Sequence, residues 1–133
     1  MDPSLLSPDQ PWWSLLFALF IGHAVADYPL QGEFLARGKN HRLPPDLVPE
    51  GLREIKGLWF HCPSAHSVIH AGAVWLITGV LWLGLVEFVL HWVIDFMKSE
   101  RWTNFHVDQF LHLLCKAGYV AVIHLGWAGI VPG

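Results

Sequence analysis

Apolar residues run almost without interruption in three stretches: Trp12 to about Leu30, about Ala65 to Met97, and about Asn104 to Leu125. At ~1.5 Å of rise per residue, the first stretch is long enough as a helix to cross a ~30 Å hydrocarbon layer. The second would measure ~50 Å as a single helix, too much for one ordinary span and little for two. A turn near Gly84 divides it, so the pattern predicts four helices, over about 12–31, 65–82, 85–98 and 104–125. Between the first two lies a loop over about 32–63, where Arg37, Lys39, Arg42, Arg53 and Lys56 accompany the run "LPPDLVPEG", whose prolines and glycine break regular structure. "KSERWTN" forms a second, shorter loop.

Each predicted helix carries one pair of polar residues at four-residue spacing: His23 and Asp27, His66 and His70, His91 and Asp95, Asp108 and His112. Residues four apart on a helix share a face, one turn above the other. In an up-and-down arrangement the first and third helices end at their pairs, and the second and fourth begin at theirs. All four pairs therefore fall at one level. Asp27, His66, Asp95 and Asp108 form an outer layer, and His23, His70, His91 and His112 form a layer one turn deeper.

Composition places this bundle in a membrane. Of 133 residues 53% are hydrophobic and 14% charged, eight are tryptophan, and the mean hydropathy is +0.40. The length allows one integral membrane domain spanning 1–133. Lysine and arginine concentrate in the loops near residues 31–63 and 98–101, so these lie on the cytoplasmic side and both termini outside. A three-helix arrangement would put Lys98 and Arg101 outside. Asp2 and Asp9 precede the first apolar stretch with no lysine or arginine, unlike a signal peptide, so the segment is expected in the mature protein. Trp12, Trp13, Trp82 and Trp127 fit an outer aromatic belt, and Trp59 and Trp102 an inner one. A net charge of −3 gives no reason to expect nucleic acid as a partner. Cys62 and Cys115 build neither a disulfide framework nor a CxxC motif and are read as free thiols.

Aspartates and imidazoles in an apolar environment are costly unless paired, solvated or coordinated, and a divalent cation answers for several of them at once. The eight residues His23, Asp27, His66, His70, His91, Asp95, Asp108 and His112 are thus the candidate ligands of one or two metals. Mixed nitrogen and oxygen ligation suits Zn, Fe or Mn. Gln31 and Gln109 stand where they would orient a ligand carboxylate or a water. Lys39 and Lys98 stand at the rim, where they would attract an anionic headgroup or act as interfacial anchors. Cys115, one turn past His112, is read as a core residue. His41, His61, His106 and His124 are placed outside the site, and Glu87, near the proposed turn, is read as solvated.

The order "HAVADYPLQ", Lys39, "HSVIH", "HWVIDFMK", "DQFLH" resembles the DUF3307 family of small bacterial and phage-encoded membrane proteins over nearly the whole chain. The proline-rich stretch between Lys39 and His66 is longer than in the family pattern. The resemblance implies a multi-pass protein of the bacterial inner membrane and supports the same site; it implies no reaction.

Two classes of function follow. As an enzyme, the chain would be a metal-dependent hydrolase of an amphipathic or lipid-like substrate at the bilayer, with Asp27, Asp95 and Asp108 as the catalytic carboxylates. An iron-dependent oxidoreductase would use the same ligands. As a non-enzyme, the centre would be a structural metal site, or an ion- or proton-handling polar core, holding short helices together.

Overall fold

The computed structural model describes residues 10–32, 35, 37, 39 and 56–129. Among these, four helices make an all-α bundle: α1 (Trp12–Asp27), α2 (Leu58–Thr78), α3 (Leu81–Ser99) and α4 (Phe105–His124). They pack in a ring, α1 against α2 and α4, and α3 against α2 and α4, with the α2–α3 pair in the most extensive contact.

The boundaries move from those the apolar runs suggest, for local reasons. α1 stops at Asp27 rather than near 31 because Pro29 has no N–H to continue the helix, and the Tyr28 N–H closes on Ala24 O at 3.0 Å. α2 starts at Leu58, well before the expected position, after Gly57 with φ 76°, and it carries Pro63 inside its second turn. Most of the expected loop over 32–63, including His41, Arg42 and Arg53, lies outside the described residues.

The break in the second apolar run falls at Gly79, not Gly84. Gly79 adopts φ 72°, the left-handed region that favours glycine, and its N–H bonds to Trp75 O. Thr78 then joins the two helices, its hydroxyl donating to Val74 O at 2.7 Å and accepting from the Val80 N–H at 3.1 Å. Gly84 sits inside α3 at the crossing with α2, where a Cβ would lie 2.9 Å from Ala71 O and 3.1 Å from the Trp75 Cβ. Both glycines are required, one for a turn and the other for a close approach. α4 begins at Asn104, whose Oδ1 accepts from the Val107 N–H at 3.0 Å.

The membrane topology is overturned. Among the described residues no helix is long and apolar enough to cross a membrane. The 16 residues of α1 rise only about 24 Å. α2 has the length, but His61, His66, His70 and the polar residues between them dilute its apolar character. α3 carries Glu87, Asp95 and Lys98, and α4 carries Asp108, Lys116 and, in its first half, His106, Gln109 and His112. The polar stripe thus removes α2, α3 and α4 from the class of spans, and shortness removes α1. The four-span inner-membrane assignment with both termini outside has no helix to rest on, and the tryptophan belts have no span to mark.

The bundle interior is divided by height. Leu15, Leu19, Val74, Val80, Leu83, Tyr119, Val120 and Ile123 form the apolar core at one end, where α1 and α3 begin and α2 and α4 finish. His23, His66, His70, His91, Asp95, Asp108 and His112 fill the other end and are all buried.

The two interior glycines of the α2–α3 pair should respond oppositely to substitution. Gly84→Val places a side chain against a backbone carbonyl and is expected to destabilise by about 1–3 kcal/mol. Gly72, in α2, has nothing within 4 Å of an added Cβ, so Gly72→Ala is expected to stabilise by roughly 0.5–1 kcal/mol through helix propensity. Denaturant melts of the two variants beside the parent check both signs.

Candidate metal centre

At the polar end, four helices each contribute one turn-spaced pair, and the eight side chains meet. Asp27 is the hub on the α1 side. Its Oδ1 lies 3.1 Å from His66 Nε2 and 3.3 Å from His70 Nε2, and its Oδ2 accepts from the Gln109 amide at 2.8 Å. Asp95 is the hub on the α3 side. Its Oδ1 lies 3.1 Å from His112 Nε2, and its Oδ2 accepts from Lys39 Nζ at 2.8 Å. The imidazoles fill the space between, with His70 stacked on His91 at 3.7 Å and His91 on His112 at 4.1 Å between ring centroids.

Two subsets have the compactness a metal needs. Asp27, His66, His70 and His91 each offer one ligand atom, all within 4.8 Å of one another, and so do His91, Asp95 and His112. These groups could hold a metal ion. His23 and Asp108 belong to neither. His23 Nε2 faces Gln109 Oε1 at 3.1 Å, and Asp108 Oδ2 accepts from Lys98 Nζ at 3.1 Å. Asp108 still touches the group through His112, 3.5 Å from its Oδ1.

The lysines and glutamines are drawn inward. Lys39, expected at an open rim, is buried, and its ammonium donates to both Asp95 and Gln31. Lys98 is held on Asp108, with 28% of its side chain exposed. Gln109 bridges Asp27, Asp108 and His23.

Below the histidines lies a group that the sequence pattern placed elsewhere. Glu87, read as solvated at a helix end, is almost fully buried, because α3 starts at Leu81 and carries residue 87 well into the bundle. Its Oε1 accepts from Lys116 Nζ and lies 3.3 Å from His91 Nδ1, and its Oε2 accepts from the Tyr119 hydroxyl at 2.6 Å. The signal was present: Glu87, His91 and Asp95 continue one stripe at four-residue spacing, as Asp108, His112 and Lys116 do on α4. On α1 and α2 the matching positions are Leu19 and Val74, so the stripe deepens on one side only.

Electrostatics separates the imidazoles. Burial pushes His70 down to about 3 and His91 down to about 4, against the pull of Asp27 and Glu87 respectively, so both rings are neutral near pH 7. Burial also lowers His112, but hydrogen bonding to Asp108 and Asp95 outweighs it, and that ring is held above its ordinary value. Burial opposes ionisation of Asp27, yet hydrogen bonds from His66, His70 and Gln109 hold its carboxyl well below the usual carboxylate range. Cys62 and Cys115 are free thiols, both pushed up by burial, and neither joins a candidate group among the described residues.

A pH prediction follows from His70 and His91. Both bind fewer protons folded than unfolded between their ordinary value of 6.5 and about 4, so the metal-free fold loses stability as pH falls through that window. The expected slope is about 1.4 kcal/mol per pH unit for each ring. His112, raised, keeps its contribution throughout that window and loses it only on the alkaline side. Chemical denaturation of metal-free protein at pH 7, 6, 5 and 4 measures the slope; stability that is flat or rises toward pH 4 contradicts it.

No curated protein and no solved structure matches the chain. A family model described as "Protein of unknown function (DUF3307)" matches residues 15–127, which takes in all four helices from Leu15 onward and every residue of the polar cluster. With most of its length matched, the chain belongs to the DUF3307 family.

Proposed function

We propose that the buried cluster is a divalent-metal centre and that the protein is a metal-dependent hydrolase of an amphipathic, lipid-like substrate. The observation that carries the metal reading is a buried, unpartnered imidazole nitrogen, His91 Nε2, grouped with Asp27 Oδ1 and the Nε2 atoms of His66 and His70. An unpaired polar atom in an apolar interior is costly, and one converging with a carboxylate and two further imidazoles fits a cation of the Zn, Fe or Mn class.

Of the two compact groups, the Asp27 group suits the ion better. It offers one carboxylate and three imidazoles, two of them held neutral by burial. In the other group Asp95 is already paired with the Lys39 ammonium, and hydrogen bonds to Asp108 and Asp95 hold His112 above its ordinary value. A divalent ion on Asp27, His66, His70 and His91 would supply Lewis acidity and lower the pKa of water.

The neighbouring pair supports proton handling. His112 and Asp95, 3.1 Å apart, form an imidazole–carboxylate dyad beside the ligand group, suited to hold a proton and give it to a leaving group. Asp27 then serves as ligand, Asp95 as the orienting carboxylate and Asp108, pinned by Lys98, as a second carboxylate that draws His112 toward its protonated form. The lipid-like character of the substrate is supported by the exposed apolar side chains of α1 and α2, among them Phe17, Ile21, Val25, Val68 and Leu76, around a groove of about 460 Å³.

A second reading has its own observation. His66, His91 and Asp108 have no exposed surface, and among the described residues of the cluster Asp27, Gln109, Lys98 and Gln31 are the partly exposed ones, as in a site that organises the bundle rather than admits a substrate.

Elemental analysis of purified protein tests the metal: about one ion per chain is expected, lost in His70→Ala. Metal-free, well-folded parent protein would sink the reading. With metal present, His112→Gln should retain the ion and lower turnover of a chromogenic ester or phosphoester by about 10²–10⁴-fold. Loss of helical content on chelation, with no turnover in the parent, would establish the structural role in its place.

A further inference from the structure

We infer that Glu87, gripped by Lys116 and Tyr119, is a positioning residue that fixes the proton of His91 on Nδ1 and so turns the Nε2 lone pair toward the metal group. The inference rests on the metal reading for its consequence, but its geometry stands alone.

A carboxylate only accepts hydrogen bonds, so at 3.3 Å from Glu87 Oε1 the His91 Nδ1 must carry the hydrogen. The other nitrogen, Nε2, is then a lone pair; it is buried, unpartnered and part of the Asp27 group. Glu87 can play this part only if it stays an acceptor. Lys116 Nζ donates to the same Oε1, and the Tyr119 hydroxyl donates to Oε2, so both oxygens are occupied by donors from α4. Neither Glu87 nor Lys116 reaches solvent, so their charges compensate each other at the boundary between the apolar core and the histidines.

The arrangement is specific to His91. His23 and His66 leave Nδ1 buried without a partner, and no other imidazole of the cluster faces a carboxylate from the core side among the described residues. His91 is also the one imidazole common to both compact groups. Fixing its tautomer therefore orients a ligand on either side of the site. Outer partners of this kind set ligand orientation and basicity in metal sites.

The double variant Glu87→Gln/Lys116→Met tests this, because without the ammonium the amide can turn its NH₂ to His91 Nδ1 and its oxygen to the Tyr119 hydroxyl, which moves the ring hydrogen to Nε2. In histidine-¹⁵N-labelled, metal-free protein the His91 resonances, assigned with His91→Gln, should report the Nδ1–H form in the parent and the Nε2–H form in the double variant. Titration with Zn²⁺ alone should show affinity about 10–100-fold weaker in the double variant. Lys116→Met alone should keep the Nδ1–H form. A merely structural role would lower the melting temperature and leave the tautomer where it is. An Nε2–H ring in the parent, or a tautomer unmoved in the double variant, overturns the positioning role. A parent that takes up no Zn²⁺ yet shows the switch refutes the metal reading and leaves the positioning intact.

Discussion

The arrangement of this bundle is governed by the need to neutralise charge in its interior. Asp27, Asp95, Asp108 and Glu87 lie within or at the edge of a core built from four helices, and each must find a counter-charge or a donor there. Lys39, Lys98 and Lys116 take one carboxylate each: Asp95, Asp108 and Glu87. Among the described residues Asp27 alone has no ammonium and leans on imidazoles and an amide instead. That imbalance marks the α1 side as the place for a further positive charge. It also separates the site by role, with lysine-compensated carboxylates around His112 and an uncompensated one facing neutral rings.

The same demand divides the helices lengthwise. Apolar side chains pack where α1 and α3 begin, and ionisable ones where those helices finish, with Glu87, Lys116 and Tyr119 at the seam. The apolar half supplies the driving force for association, and the polar half is held in shape by it.

Much of the site was legible because its signal is periodic. Four-residue spacing identifies a helix face without knowledge of the partner, so His23 with Asp27, His66 with His70, His91 with Asp95 and Asp108 with His112 could be read as converging pairs. What escaped is what spacing does not encode. Gly79 and Gly84 look alike in an apolar run, and only tertiary packing decides that one turns the chain and the other admits a neighbouring helix. Misplacing that turn cut the α3 stripe short and left Glu87 apparently in water. Hydrophobic composition is the weaker guide: a high apolar fraction reads as membrane spans, while the histidines and carboxylates on the inward faces, and the shortness of α1, leave no helix among the described residues that meets the requirement. Lys39 illustrates a third limit, since nothing in a sequence says that a lysine will reach a carboxylate 56 residues away.

Gln109 touches Asp27 across 82 residues and His23 across 86, the chain separation that closes α4 onto α1. Helices α2 and α3, joined at a tight turn, can dock through local encounters, whereas the α1–α4 seam requires nearly the whole chain to be gathered, at an entropic cost that grows slowly with length but comes before any contact rewards it. Topology therefore grades the cluster by range: His66, His70, His91 and Asp95 lie on one hairpin, Asp27 joins them from α1 across the longer connection to α2, and Gln109 spans the greatest chain distance. A cation held by Asp27, His66, His70 and His91 would report that α1 has docked on the hairpin, not merely that the hairpin has formed.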